Sequence, residues 1–275
     1  MSMEKRLSTS FKVIDEVTAA ADAAIGRVEG PASATHQFDL ALYLRGVNAL
    51  KAVRLLTGEA HWEIAAGPAR QLFELVLAAE ELNRAADREH AAARFAAFGL
   101  LQETRAALAR LEYDAGTGRP VDAERGAFLV SLLEGAVFAE FRSIKNDGSV
   151  RWATTWAGKT ARQLAASSSM PIRKHQYELL FSAWSEEAHA APGALVDAIF
   201  RSADQDWVQK VVAEDERNVA EVNLMSMMLF FELTGLLPDA PDLGADRVLT
   251  WLNRVRSWTV ERFGIDDAGT AAAFG

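Results

Sequence analysis

Apolar residues recur at spacings of three and four along almost the whole chain of 275 residues, and alternating runs of β-branched residues are rare. This periodicity is typical of amphipathic helices and not of strands. It predicts an all-α fold, a multi-helix bundle, with helices over residues 8–28, 37–57, 62–84, 87–112, 122–145, 156–167, 172–191, 206–236 and 243–263.

The chain shows no sign of a boundary between domains. It has no linker rich in Gly, Ser or Pro and no repeat at a fixed period. Long helices with short connections favour antiparallel neighbours in one bundle. We therefore predict a single all-helical domain over residues 1–263 and a frayed tail at 264–275, where large apolar side chains are few.

Charge and cysteine content exclude several kinds of site. The net charge of −9 opposes binding to nucleic acid unless a local basic patch exists, so this partner is disfavoured but not excluded. The absence of cysteine excludes disulfides, thiol nucleophiles and cysteine-bound metals, and it is compatible with a cytoplasmic protein. The chain has no P-loop, dinucleotide fingerprint or Gly-x-Ser-x-Gly motif, so we predict no cofactor.

Neither a signal peptide nor a membrane span is predicted. The first ten residues lead straight into a charged amphipathic segment. The longest apolar run, residues 224–231, ends at Glu232 and is well short of the roughly 20 residues that a membrane helix needs. We interpret this run as part of a buried helix and expect no membrane partner.

Arg70 and Glu74 are the first candidate site residues. They lie four apart within residues 64–82, a segment so apolar that it is expected at the centre of the bundle. A buried charge needs a partner, and Arg before Glu is the less favourable order within one helix, so we expect partners from other helices. Pro68 either begins this helix or lies inside a longer one. The pair is either a structural ion pair or an anion-binding guanidinium with a nearby carboxylate.

A second set of candidates lines one stripe of the helix predicted at 172–191. Tyr177, Phe181, Ser185 and His189 are spaced by four. His189 is the natural proton carrier near neutral pH, and Ser185 is placed to orient it. The alternative is a core histidine satisfied by its serine neighbour.

A metal centre is a weaker hypothesis. Glu186 and His189 have the Glu-x-x-His spacing of di-iron bundles, and Asp87 with His90 is a looser second copy. Such a centre needs further inward carboxylates, for which the candidates are Glu74, Glu80, Glu81 and Glu221. The short pattern arises easily by chance, so we predict no metal and assign Glu221 instead to the polar site.

Two further motifs complete the pattern: Arg94-Phe95 in the helix after Arg70, and Trp156-Ala157-Gly158-Lys159 before a short helix. With Arg70, Glu74, Tyr177, Ser185 and His189, they resemble an all-helical family known only as a domain of unknown function and distantly similar to HEPN proteins. The resemblance covers roughly residues 37–235 and implies Arg70, Glu74, Ser185 and His189 as signature polar residues. HEPN ribonucleases carry Arg-x4–6-His on one helix, a spacing that Arg173 forms with neither His175 nor His189.

Three functions follow from these patterns. The first is binding or transformation of a small anionic molecule, with Arg70, Tyr177 and Glu221 holding it and His189, Glu74 and Ser185 performing general acid/base chemistry. The second, from the resemblance, is a module that binds or cleaves RNA. The third is a structural or interaction protein whose polar residues only fix helix register. We expect a homodimer or a complex with a sister subunit.

Overall fold

The structure is a computed structural model that describes residues 3–28, 30, 33–184 and 207–263. Its helices are α1 Met3–Arg6, α2 Ser8–Ile25, α3 Ala34–Gly58, α4 Trp62–Arg84, α5 Arg88–Gly116, α6 Ala123–Glu134, α7 Ala161–Ala166, α8 Ile172–Glu178, α9 Trp207–Leu236 and α10 Ala245–Phe263. A 3₁₀ helix at Ala136–Phe141 leads into the strands β1 Arg142–Ile144 and β2 Val150–Trp152, and a π-helical turn follows α8 at Leu179–Ala183. The predicted all-α, multi-helix fold is confirmed.

Side-chain caps explain where three of the longer helices begin. Ser33, Asp87 and Asp122 each accept a hydrogen bond from the backbone N–H three residues later, at 3.1, 3.0 and 2.9 Å. Each bond satisfies one of the backbone donors that the first turn of a helix leaves unpaired. Pro68 lies inside α4, so the second of its two predicted positions is the one observed.

The described residues group into two compact units, of which the first draws on residues 1–83 and 164–275. In this unit α9 packs on α3 and α2, and α10 packs on α2. Its core contains the fully buried side chains of Phe11, Tyr43, Phe73 and Phe230. α4 contributes a broad apolar face, as its sequence predicts, with twelve of its residues buried.

The second unit comprises residues 84–163 and has its own small core. Phe98 and Leu101 of α5 pack with Phe138 and Phe141 of the 3₁₀ helix, and Trp156 lies against the same cluster. Whether the two units fold as one cooperative domain stays a prediction. The predicted tail at 264–275 lies outside the described residues.

The helix predicted at 122–145 is wrong in its second half. α6 ends at Glu134 because Gly135 adopts an extended backbone, and the chain then turns through the 3₁₀ helix into a β-hairpin. Ile144 pairs with Val150 across a turn that contains Asn146-Asp147-Gly148, where Gly148 has φ of +80°. Asp-Gly between two apolar residues is a hairpin signal, and here it takes precedence over the helical spacing. The helix predicted at 156–167 is correspondingly shorter, at Ala161–Ala166.

α9 contains a long apolar segment. Its segment Glu214–Leu236 is long and apolar enough, by length and composition alone, to cross a membrane. Half of its most apolar 18-residue stretch is buried inside the structure, as in a core helix. The prediction of no membrane partner stays a prediction.

Glu216 of α9 forms ion pairs with residues near both ends of the described chain. Its buried carboxylate accepts hydrogen bonds from Arg6 of α1 at 2.5 Å and from Arg262 of α10 at 2.7 Å. Burial alone would raise the pKa of the Glu216 carboxyl, but the two guanidinium groups outweigh burial and hold this pKa below its ordinary value of 4.5. The ionised carboxylate is therefore the form that stabilises the fold.

The lowered pKa of Glu216 predicts a loss of stability in acid. A carboxyl group whose pKa is lower in the folded state stabilises the protein above its unfolded pKa, and this contribution is lost as pH falls through the folded pKa. We therefore expect the wild type to be more stable than Glu216→Gln at pH 7, and the difference to shrink below about pH 4.5. Urea unfolding of both proteins between pH 3 and pH 7 measures this; a difference independent of pH would contradict the assignment.

Candidate functional site

Arg70 and Glu74 pair with each other along α4. The Nε of Arg70 donates to Oε1 of Glu74 at 3.2 Å, and their side chains are 39% and 49% exposed. The expectation of a buried pair with partners from other helices is therefore wrong. The reason is geometric: Ile64, Gly67 and Glu74 are exposed and spaced along one side of α4, so this helix has an open stripe beside its broad buried face.

An aromatic group from the π-helical turn holds the Arg70 side chain in place. The Cζ of Arg70 lies 3.6 Å from the centre of the Phe181 ring, a close cation–π contact. Tyr177 stacks on the same ring at 4.6 Å, and the buried Phe73 meets its edge at 6.2 Å. We call the group of Arg70, Glu74, Tyr177 and Phe181 the Arg70 site. The structure thus brings together three residues that the sequence analysis assigned to the polar site.

The guanidinium of Arg70 has unused donors. Within the described residues, Nε makes its one hydrogen bond, to Glu74, and neither terminal nitrogen donates to a protein acceptor. Because the side chain is partly exposed, these N–H groups can face solvent. An arginine fixed by stacking and by Nε presents its terminal nitrogens as a fork, which suits a carboxylate or a phosphate.

A second guanidinium, that of Arg45, is bound by the residue that follows Arg70 in the chain. Gln71 follows Arg70 in the chain, and its side-chain oxygen, in the amide orientation that satisfies both groups, accepts from Nε and Nη2 of Arg45 at 3.0 and 2.7 Å. A neutral amide thus holds the exposed Arg45.

The turn that carries Phe181 departs from ordinary helical geometry. The helix predicted at 172–191 is α-helical only to Glu178, and Leu179–Ala183 forms a π-helical turn. A π turn inserts an extra residue into a helix and changes the direction of the side chains that follow, and such turns are frequent at functional sites. Here the turn places Phe181 against Arg70.

The remaining candidates are not part of the Arg70 site as described. Ser185 and His189 lie outside the described residues, so their predicted roles stay predictions. Glu221 lies on α9, and no hydrogen bond within the described residues joins it to Arg70 or Tyr177. Its side chain is exposed at the surface, yet surrounding protein atoms desolvate the carboxylate and raise its pKa, while the charge of Arg217 opposes the rise.

A largely buried ionic cluster lies further along the same pair of helices. Arg173 of α8, 2% exposed, donates from Nε to Glu80 of α4 at 2.7 Å. Its Nη1 donates to Gln176 at 2.8 Å and to Glu232 of α9 at 2.5 Å, and Ser168 donates to the other oxygen of Glu80 at 2.7 Å. We call these five residues the Arg173 cluster. It joins α4, α8 and α9 at one point in the core.

The two carboxylates of this cluster share one guanidinium. Burial raises the pKa of the Glu232 carboxyl, Arg173 opposes the rise, and the nearby Glu80 reinforces it. Two acids close together in a largely buried place favour proton uptake by one of them. The cluster is a strong structural element, because Arg173 of α8 binds acids on two other helices, Glu80 of α4 and Glu232 of α9.

Sequence reasoning did not assign the Arg173 cluster. Glu80 was a candidate only for a di-iron centre, and Arg173 was considered only for its distance from histidines. The available signal was an acid at the end or inside of two apolar runs, Glu80 after residues 75–79 and Glu232 within Leu229–Leu233, because an acid in such a place predicts a buried basic partner elsewhere. The partner is 93 residues away from Glu80 and 59 from Glu232, so no local spacing reveals it.

The other motifs of the sequence analysis meet within the second unit. Phe95 contacts Trp156 edge to face at 5.2 Å, and the Nε of Arg94 lies 2.7 Å from a carboxylate oxygen of Glu140. The Nε–H of Arg94 is buried and not aligned for a hydrogen bond with that oxygen. These contacts account for the two motifs as packing elements of this unit.

The described residues contain no group of three or more His, Asp or Glu side chains arranged to hold a metal ion. Of the residues in the di-iron hypothesis, Glu186 and His189 lie outside the described part of the chain. Glu80, another of its candidates, is bound to Arg173.

Comparison with known proteins gives one match. A family model described as "Family of unknown function (DUF5677)" matches residues 39–206. No curated protein and no solved structure matches the chain. The matched range includes Arg70, Glu74, Tyr177 and Phe181, and it also contains Ser185 and His189.

Proposed function

The chain belongs to the family of unknown function DUF5677, and from the Arg70 site within the matched residues we propose that it binds a small anionic molecule. The single observation that carries this proposal is the state of the Arg70 guanidinium. It is fixed by Phe181 and Glu74, and its terminal nitrogens have no acceptor within the described residues.

The conformational entropy lost by fixing the Arg70 side chain is an argument for a ligand, because the exposed ion pair with Glu74 alone does not compensate for it. A surface ion pair within one helix contributes only about 0.3–0.5 kcal/mol, and fixing a long side chain costs conformational entropy. Stacking on Phe181 offsets part of that cost and leaves the donor fork preorganised. Preorganised donors bind more tightly because little further conformational entropy is lost when the ligand binds.

The geometry favours a carboxylate or phosphate group. Two terminal nitrogens of one guanidinium match two oxygens of either group. Tyr177 supplies a phenol next to Phe181, which suits a further polar atom of the ligand. Glu74 keeps Arg70 in its orientation and lies where a carboxylate can accept a proton or a hydrogen bond.

General acid/base chemistry remains part of the proposal. His189 follows Phe181 by eight residues and is the proton carrier that the sequence favours, with Ser185 between them. In this proposal Arg70 binds the anion, while His189 and Glu74 exchange protons with it.

A panel of anions tests the binding function. Thermal unfolding of the wild type should be followed with phosphate, pyrophosphate, citrate and succinate, each at an ionic strength matched with sodium chloride. A ligand at 100 times its Kd stabilises the folded state by about 2.7 kcal/mol, so at least one anion should raise Tm with a saturating dependence on concentration. If every anion only reproduces the effect of sodium chloride, the proposal is wrong and the polar residues have a structural role.

A further inference from the structure

Arg247, for which no acidic partner is found within the described residues, lies in a groove between α2 and α10. The groove is a cavity of about 490 Å³, within the size range of small-molecule sites. Ala19, Ala20 and Ala23 of α2 line one side, and Arg247 and Trp251 of α10 line the other. The three small side chains keep the two helices from filling the space between them.

One acid of the groove is already neutralised. Glu16 accepts hydrogen bonds from Nη1 and Nη2 of Arg254 at 2.5 and 3.1 Å and from Nε1 of Trp251 at 3.1 Å. The hydrogen bond from Arg254 is the largest of the effects that lower the pKa of Glu16, so the carboxylate stays ionised and paired. The Glu16–Arg254 ion pair fixes one end of the groove and neutralises the carboxylate in its lining.

Arg247 is the remaining charged group of the lining. Its Cζ lies 5.2 Å from the centre of the Trp251 ring, and within the described residues no acceptor binds its guanidinium. Trp251 itself is 5% exposed and stacked nearly parallel to Phe231, so the indole is a rigid support. The lining therefore carries two arginines and one glutamate, and the surplus positive charge belongs to Arg247.

We propose that this groove binds a small carboxylate with an apolar body. The carboxylate would pair with Arg247, and the apolar body would lie along the alanine side chains and Trp251. The lining chemistry favours this class over inorganic phosphate, because a purely polar anion leaves the methyl groups of Ala19, Ala20 and Ala23 without contacts. The groove shares no residue with the Arg70 site, so the two proposals stand independently.

Octanoate is a suitable probe, and n-octanol is its neutral counterpart. Isothermal titration should show saturable binding of octanoate to the full chain, with octanol binding at least about tenfold more weakly, as loss of a charge-assisted hydrogen bond implies. Arg247→Gln should weaken octanoate binding by about tenfold or more. Arg256→Gln, which removes a charge from the same helix outside the groove lining, should leave it unchanged.

A filled groove provides a second test that does not depend on charge. Ala23 is exposed on α2, so Ala23→Leu adds apolar volume to the groove at a helical position that tolerates it. We expect this variant to unfold at the wild-type temperature and to lose octanoate binding. Equal binding by wild type and Arg247→Gln, or by wild type and Ala23→Leu, would overturn the proposal. Because octanoate also carries the carboxylate proposed for the Arg70 site, it should be titrated into Arg70→Gln as well. The groove proposal requires that the saturable site lost in Arg247→Gln persists in this variant, and a site lost only in Arg70→Gln would overturn it.

Discussion

Replacing Arg173 with methionine is expected to lower the free energy of unfolding by about 3–5 kcal/mol. The substitution keeps most of the apolar volume but removes the guanidinium shared by Glu80 and Glu232. Removing one partner of a buried ion pair leaves an uncompensated charge in the core, which is why the loss is large. Urea unfolding measures this loss of free energy directly. For a chain of this size, Tm should fall by roughly 10 °C.

Lys174→Met is the matched control, because Lys174 is the exposed neighbour of Arg173 on α8. It should change the free energy of unfolding by less than about 0.5 kcal/mol. A triple variant that also carries Glu80→Leu and Glu232→Leu should regain much of the loss, since an apolar set can replace a buried ionic one. If Arg173→Met costs no more than the control, the cluster does not hold the three helices together.

The helices were predictable because burial of one side of a helix repeats every 3.6 residues, and this repeat is present in the sequence itself. Most long elements, such as α4 and α9, begin and end within a few residues of their predicted bounds. The hairpin at Arg142–Trp152 was missed because each strand has only three residues, too few for an alternating pattern to compete with the helical spacing around it.

The members of the site were easier to predict than their surroundings. Arg70 and Glu74 stood out as polar residues in an apolar segment, and this contrast was interpreted as burial. The structure shows that these polar residues mark the open stripe of α4. A helix with a narrow exposed side needs polar residues only on that side. A low number of polar residues therefore does not imply that the whole helix is buried.

Two features of the site depend on information that is absent from local sequence. The π turn at Leu179–Ala183 differs from an α-helix by one inserted residue, and no repeat in the sequence marks that position. The Arg173 cluster joins three elements that are far apart in the chain, so its pairing is decided by the tertiary fold. Sequence spacing indicates which side chains share one helix face. It does not indicate which other helix, distant in the chain, packs against that face.

The second large effect is expected at Arg70. With the anion that most stabilises the wild type, Arg70→Gln should raise Kd by about tenfold to a hundredfold, the equivalent of losing charge-assisted hydrogen bonds of about 1.5–3 kcal/mol. Stability of the unliganded protein should change little, because the Arg70–Glu74 pair is exposed and lies within one helix. Arg70→Lys should recover only part of the affinity, since an ammonium group does not offer a planar fork.

Arg110 provides a matched control within the same chain. It also donates from Nε to an acid four residues later, Asp114 at 3.3 Å, and its Cζ lies 5.7 Å from the ring of Tyr113. It lacks the close stacking that fixes Arg70 over Phe181. Arg110→Gln therefore removes an equal charge and a similar pair, and it should leave the affinity for the anion unchanged.

Isothermal titration of this anion into wild type, Arg70→Gln and Arg110→Gln is the most direct test of the central claim, that the guanidinium over Phe181 is an anion-binding group. The account predicts one binding site in the wild type, the same Kd in Arg110→Gln, and a Kd at least about tenfold higher in Arg70→Gln. Equal affinity in all three proteins, or equal losses in the two variants, would contradict it.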